Sequence, residues 1–161
     1  MLTPDDLTAF IESNKVDAQV IVLPVATPTV EAAAQAVGTS ASQIVKSLLF
    51  LVDGKPALAV ACGEGRVDRR PIARHFDVGR KRVKMADADA VLKFTGYPIG
   101  AVPPFGMPQQ PETLIDVRLF EHDVVYAGGG DVNALIKVHP GEIERITHGI
   151  RLDLLNPDAL K

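Results

Sequence analysis

The chain has a single cysteine and no tryptophan in 161 residues, and both shortages exclude something. Cys62 alone permits no intramolecular disulfide and no thiol cluster for zinc. Six Phe and two Tyr are too few for the stacking platforms that grip single-stranded nucleic acid. No apolar run reaches membrane-spanning length, and Met1-Leu2-Thr3-Pro4-Asp5-Asp6 lacks the basic stretch of a secretory signal. Gly-x-Gly-x-x-Gly and phosphate-loop motifs are missing too. These shortages lead us to expect a cytoplasmic protein with no membrane partner, no metal and no cofactor.

What is present is ordinary in amount and uneven in placement. Apolar residues make up 47% and charged residues 23%, the balance of a globular protein, and the length suits one domain over residues 1–161. The net charge is −3. Arg66, Arg69, Arg70, Arg74, Arg80, Lys81, Arg82 and Lys84 are nevertheless opposed in their segment only by Asp68 and Asp77. That segment carries eight positive and two negative charges, a net +6, which leaves −9 for the rest. A basic face on an acidic protein suits a polyanion met on one side, with Arg80, Lys81 and Arg82 as candidate contacts. A solvated helix face with salt bridges explains the same charges without a ligand.

Helices and strands alternate. Thr3 caps a helix whose buried stripe is Leu7, Phe10 and Ile11, and a second helix over 29–37 ends at Gly38. Asp68 and Asp87 cap two more, through Phe76 and Phe94, and Pro140 opens a last one. Strands are expected at Gln19–Val25, Thr113–Val117, Val124–Ala127, Ala134–Val138 and near Leu152. Asp53-Gly54 is a hairpin turn that pairs the run from Ile44 to Val52 with Pro56–Cys62. From Gly96 to Pro111 three glycines and five prolines forbid helix and central strand, yet Tyr97, Ile99, Val102, Phe105 and Met107 are too apolar for a disordered linker. An ordered, stiff loop remains, a usual seat of function.

Lys46 is the anomaly. It sits in Ile44-Val45-Lys46-Ser47-Leu48-Leu49-Phe50-Leu51-Val52, a run that reads as a strand buried on both faces. A buried ammonium is costly unless it meets a carboxylate, a carbonyl or an anionic ligand. Otherwise it reaches water along its aliphatic stem.

Val45-Lys46-Ser47-Leu48, then Gly96-Tyr97-Pro98-Ile99-Gly100-Ala101-Val102-Pro103-Pro104-Phe105-Gly106, then Tyr126-Ala127-Gly128-Gly129-Gly130 occur in that order. From about Thr29 to Leu155 the chain resembles the YbaK/prolyl-tRNA-synthetase-associated family of free-standing aminoacyl-tRNA editing domains. The resemblance implies an α+β (mixed α/β) fold: a curved, mainly antiparallel, barrel-like sheet ringed by helices. It implies a deacylase that frees a small wrong amino acid, alanine or cysteine, from tRNA for proline. Its partners would be the acceptor end of the mischarged tRNA, met through Arg80, Lys81 and Arg82, and prolyl-tRNA synthetase.

By the same resemblance the catalytic positions are Lys46 and Gly100. Substrate-binding positions are Ser47, Gly96, Tyr97, Ala101, Val102, Pro103, Pro104, Gly128, Gly129 and His139, the last matched by order and spacing only. Ser47 departs from the asparagine or threonine that follows the lysine in alanine- and cysteine-specific members, which leaves the amino acid open. Ester hydrolysis needs an oxyanion stabilised, a nucleophile oriented and a leaving group held. With no evident strong base, water or the substrate's vicinal hydroxyl is the expected nucleophile. Two other classes stay open: a non-catalytic tRNA-binding module, and an enzyme whose desolvated Lys46 forms a Schiff base.

Overall fold

Local signals in the sequence start and stop most elements of the computed structural model, which describes residues 1–156. Helix α1 (Pro4–Ser13) opens on a reciprocal cap: the Asp6 amide donates to the Thr3 hydroxyl and the Thr3 amide to the Asp6 carboxylate. Leu7 and Ile11 are its buried stripe, and half-buried Phe10 stacks on Phe105. Thr29 caps α2 (Val30–Val37), which ends at Gly38 with φ 72°. Asp68 caps α3 (Arg69–Phe76), Asp87 caps α4 (Ala88–Thr95), and Pro140 opens α5 (Pro140–Thr147). The expected end of the domain at Lys161 lies outside the described residues.

The strands are β1 (Ala18–Val22), β2 (Val45–Val52), β3 (Lys55–Cys62), β4 (Arg66–Val67), β5 (Val83–Met85), β6 (Glu112–Asp116), β7 (Val125–Gly128), β8 (Ala134–Val138), β9 (Ile150–Leu152) and β10 (Leu155–Asn156). Five of them form a sheet in the order β5-β2-β3-β6-β9, with β2 antiparallel to β3 and β5, and β6 parallel to β3 and β9. Strands β1, β8 and β7 form an antiparallel sheet, and β4 pairs with β10. The two larger sheets are joined by one parallel bridge, Ile44 to Tyr126. The barrel-like sheet expected from the sequence is thus divided in two.

Strand β2 is buried on both faces. Val45 and Leu49 join Leu58, Val60, Val125 and Ile136 in the core between the sheets, while Phe50 and Val52 pack with Ala57, Ala59 and Ile72 on the other side. On that second face the hairpin register sets Phe50, Leu48 and Lys46 opposite Ala57, Ala59 and Ala61. Three alanines leave room above the face that Lys46 shares. The hairpin turns at Asp53 and Gly54, with φ 52° and 80°, as a two-residue turn of left-handed residues requires.

Two departures have local causes. Strand β1 stops at Val22, short of Val25, because Pro24 has no amide for a ladder; the Leu23 and Thr27 amides instead donate singly to the Asn133 and Val132 carbonyls. Strands β4 and β5 fall inside the basic segment with no apolar alternation to announce them, since two and three residues make too short a pattern. The segment from Pro98 to Pro111 has neither helix nor strand and is ordered by its own contacts. Tyr97 is fully buried and its hydroxyl donates to the Gly106 carbonyl (3.2 Å), while the Gln110 amide holds the Pro104 carbonyl (3.0 Å). No helix among the described residues is long and apolar enough to cross a membrane.

One edge of β2 positions the site. Strand β5 pairs with it only from Phe50 to Val52, and β7 bridges it only at Ile44. Between these contacts the edge from Lys46 to Leu48 has no partner strand.

Candidate active site

The unpartnered edge opens into a cavity of about 280 Å³. Residues Ile44 to Leu49 form its floor. Its walls come from the segment leading into α2 and Val30 and Ala33 of that helix, from Met85 and Ala86, from Ile99, Gly100 and Val102 of the loop, and from Gly128 and Leu135 of the smaller sheet. The lining is apolar except at a few points, and among the described residues no carboxylate, imidazole or thiol is part of it.

Ser47 supplies two of those polar points. Along β2 the Ile44 carbonyl accepts from Gly63 on the β3 side (2.9 Å), and the Leu49 carbonyl accepts from Ala86 on the β5 side (3.0 Å). Alternation along the strand therefore turns the Ser47 amide and carbonyl toward the gap. The Ser47 hydroxyl oxygen is buried with no hydrogen-bond partner. An unsatisfied buried hydroxyl costs about 1–3 kcal/mol.

Lys46 stands at the rim, half-buried, and its Nζ donates to the Gly65 carbonyl at 2.6 Å. It has no carboxylate partner among the described residues. Burial pushes its ammonium below the usual lysine value; Cys62 nearby opposes that shift and the Arg66 cation adds to it. Cys62 itself is pushed up to about 11, chiefly by burial, and stays a thiol within the core.

The loop and the triple glycine form one wall. The Gly130 amide donates to the Ala101 carbonyl (2.9 Å). A Cβ at Gly128 would meet the Val102 carbonyl oxygen at 2.4 Å, so no side chain fits there. Gly129 makes a similarly close approach to the Ala134 backbone (2.6 Å) and closes the turn between β7 and β8. Gly100 differs: its φ of +84° favours glycine, yet nothing lies within 4 Å of a Cβ there.

The structure therefore gathers Lys46, Ser47, Gly100, Val102 and Gly128 around one cavity. Gly96, Tyr97, Ala101, Pro103, Pro104 and Gly129 do not line it. Ala101, Pro103 and Pro104 are buried behind the wall, and Tyr97 faces the core, where burial pushes its phenol up to about 12. Gly96 ends α4 with φ 82° and its carbonyl accepts from the Leu2 amide (2.7 Å).

His139 is not brought to the cavity. Strand β8 meets it at Leu135 and runs on through Val138, which carries His139 out, exposed, at the opposite end of the small sheet. Arg80, Lys81 and Arg82 form a 3₁₀ turn before β5, which pairs with the hairpin end of β2; Arg82 binds Asp53 there at 2.7 Å. At ~3.3 Å per residue this lies roughly 20 Å along β2 from Lys46. Among the described residues no three His, Cys, Asp or Glu side chains cluster to hold a metal ion.

The residues that sequence reasoning missed are Val30 and Ala33 on α2, Met85, Leu135 and the Gly65 carbonyl. Only the small residues of α2 carried a signal, a face able to pack closely. The others reach the site through tertiary pairing alone.

The model of the aminoacyl-tRNA editing domain matches residues 25–146. An uncharacterised protein of Bacillus subtilis, YwhH, is 35% identical over 120 residues, 74% of each chain. The proline–tRNA ligase of Citrifermentans bemidjiense is 31% identical over 91 residues, which are 56% of this chain and 16% of the ligase, so this chain spans only a small part of such ligases. A solved structure described as a candidate trans-editing enzyme for prolyl tRNA synthetase superposes with a TM-score of 0.89 at 30% identity, covering 97% of this chain and 99% of that one. Motifs, fold and sequence matches agree: the chain belongs to the aminoacyl-tRNA editing domain family, and its enzyme class is aminoacyl-tRNA deacylase.

Proposed function

We propose that the cavity receives the aminoacyl ester at the 3′ end of a mischarged tRNA for proline and hydrolyses it when the amino acid is small: alanine, cysteine or serine. The observation that carries this is an apolar cavity of about 280 Å³ toward which the backbone amide and carbonyl of Ser47 turn, with the Lys46 cation at the rim. Such a space suits a short side chain. The rigid ring of proline is excluded by shape, whereas small side chains are separated only by about 1–3 kcal/mol per group.

The chemistry follows from what lines the cavity. With no side chain there able to act as a strong base, the attacking oxygen is water or the vicinal hydroxyl of the terminal ribose. Backbone amides of Ser47 and of the loop at Gly100 are placed to donate to the oxyanion, and they need no reorganisation when charge develops. Lys46 would leave the Gly65 carbonyl or share its protons, holding the ester oxygen or the adjoining phosphate as a fixed positive charge. A tRNA substrate makes the cytoplasm its place of action. The relatives named for prolyl-tRNA synthetase or containing its catalytic body make that synthetase the partner we expect to deliver the tRNA.

The test is a panel of alanyl-, cysteinyl-, seryl- and prolyl-tRNA for proline, incubated with wild type and Lys46→Ala. Turnover of the small three, with prolyl ester spared and the variant inactive, is expected. A wild type that binds the tRNAs without turnover would make the chain a binding module. In a parallel incubation, an aldehyde or ketone trapped on Lys46 by borohydride would make the lysine a Schiff-base nucleophile.

A further inference from the structure

A second cavity, of about 350 Å³, adjoins the first across Lys46. Lys46, Leu48 and Met85 line both cavities, so the two are continuous at the lysine. The floor of the second is apolar, made by Leu48, Phe50 and Met85, and its rim carries Lys46, Arg66 and Arg69. Among the described residues no carboxylate lines it, and Arg66 and Arg69 have no ion pair there. The carboxylate between them in sequence, Asp68, is held by Arg70 at 2.7 Å. Three cations around an apolar floor, with no ion pair among the described residues, form a site for an anion that also carries a flat apolar body.

The rim is also held in place. Val67 and Arg66 pair with Leu155 and Asn156 of β10, and the Asp68 amide donates to the Leu154 carbonyl at 2.6 Å. That C-terminal segment is fixed in turn by buried Asp116, which accepts from the Leu154 amide at 2.8 Å and pairs with Arg118. The Gly65 carbonyl that receives Lys46 lies in this anchored stretch. Cations on a fixed backbone lose little freedom when an anion arrives.

We infer that the second cavity seats the terminal nucleotide of the substrate, its base over Leu48, Phe50 and Met85 and its 5′ phosphodiester between Arg66 and Arg69. This rests on the editing reading, because an amino acid in the first cavity puts its ester-linked ribose beside Lys46 and leads the polynucleotide into the second. A volume of about 350 Å³ falls at the low end of small-molecule sites and suits one nucleotide. Arg66 and Arg69 are positioning residues: they hold the phosphate two bonds and a ribose away from the carbonyl that reacts.

The test compares two esters of alanine, one on full-length tRNA and one on adenosine without a 5′ phosphate. Arg66→Ala combined with Arg69→Ala is expected to lower kcat/KM on the tRNA on the order of 30-fold, mostly through KM, as loss of charge-assisted contacts does. On the adenosine ester the same variant should match wild type within about twofold. The double lysine variant should recover part of the loss on tRNA. Equal loss on both esters, or no loss on tRNA, overturns the assignment.

A binding arm reads the subsite without turnover. The trinucleotide cytidyl-cytidyl-adenosine should bind wild type, and the alanine pair should weaken that binding at least about 10-fold and flatten its salt dependence by ~0.7 in log–log slope, the share of one phosphate. If wild type hydrolyses neither ester while the trinucleotide still binds through the two arginines, the subsite stands and the deacylase reading fails. Adenosine monophosphate, which carries both the base and the phosphate, should compete with the trinucleotide; if inorganic phosphate alone displaces it at equal concentration, the cavity is a small-anion site and the assignment falls.

Discussion

The two ends of β2 are made of similar residues and serve different purposes. From Phe50 to Val52 the strand has β3 on one edge and β5 on the other. From Lys46 to Leu48 it has β3 alone, and the free edge faces the cavity. The closed end sits at the hairpin with Arg80, Lys81 and Arg82 outside it; the open end meets the loop, the glycine turn and α2. The contrast shows that a strand's own sequence decides that it is buried, while its neighbours decide whether its backbone is spent on a ladder or left for a ligand.

The contrast can be broken by exchanging effects between the ends. Val52→Ala, at the closed end and in neither cavity, should cost about 2–3 kcal/mol of stability, with activity lost only as the protein unfolds. Lys46→Ala, at the open end, should keep the thermal midpoint within a few degrees and reduce deacylation by at least about 100-fold. Thermal melts beside single-turnover kinetics decide it; a large melting loss for Lys46→Ala would assign the lysine to the fold.

The two glycines of the wall sharpen the comparison. Gly128→Ala drives a methyl into the Val102 carbonyl, so it should lower both the midpoint and the turnover, by about 2 kcal/mol or more in stability. Gly100→Ala has open space and only its left-handed φ to oppose it, a strain of about 1–2 kcal/mol. Turnover should fall further than that strain implies, and unchanged kinetics would remove Gly100 from the site.

Ser47→Ala separates the ligand's use of the edge from the protein's. Removing a buried hydroxyl with no partner should leave stability unchanged or raise it by up to about 1 kcal/mol. The ratio of rates on seryl and alanyl esters should shift toward alanine by about 3- to 10-fold, if the hydroxyl reads the substrate's side chain. A drop in stability would mean that Ser47 is satisfied within the protein.

The smallest effect is expected at the closed end's surface. Replacing Arg80, Lys81 and Arg82 together with alanine should raise KM for tRNA by about 2- to 3-fold and leave the alanyl, cysteinyl and seryl ratios alone, since the contact is with distant phosphates. Measured against the Arg66 and Arg69 pair at equal salt, a larger effect of the triple variant would place the path of the tRNA along the hairpin instead.

The elements that could be read from the sequence were those governed by near neighbours. Thr3, Thr29, Asp68 and Asp87 cap within three residues, and Asp53-Gly54 turns within two. Lys46 drew attention because it broke an apolar pattern, and Gly100 and Gly128 because glycine and proline punctuate the chain. His139 failed because order along a chain carries no direction: a strand of five residues took it to the far end of its sheet. Tyr97 and the two prolines of the loop were in the right segment on the wrong side, since apolar side chains turn the loop's inner face to the core. Arg66 and Arg69 were legible only as charge. Their nearness to Lys46 depends on the pairing of β4 with β10, roughly 90 residues apart in sequence.

The single bridge between Ile44 and Tyr126 gives the cavity a further property. Its floor belongs to the five-stranded sheet and its far wall, at Gly128 and Leu135, to the three-stranded one. The width of the cavity is therefore the spacing of two bodies, kept by the side chains wedged between them, among them Val45, Leu49, Val125 and Ile136. The core acts as the jaw of a calliper. A change of one methylene at Val125 or Ile136 resets the gauge by which an amino acid is admitted, though neither residue touches the substrate.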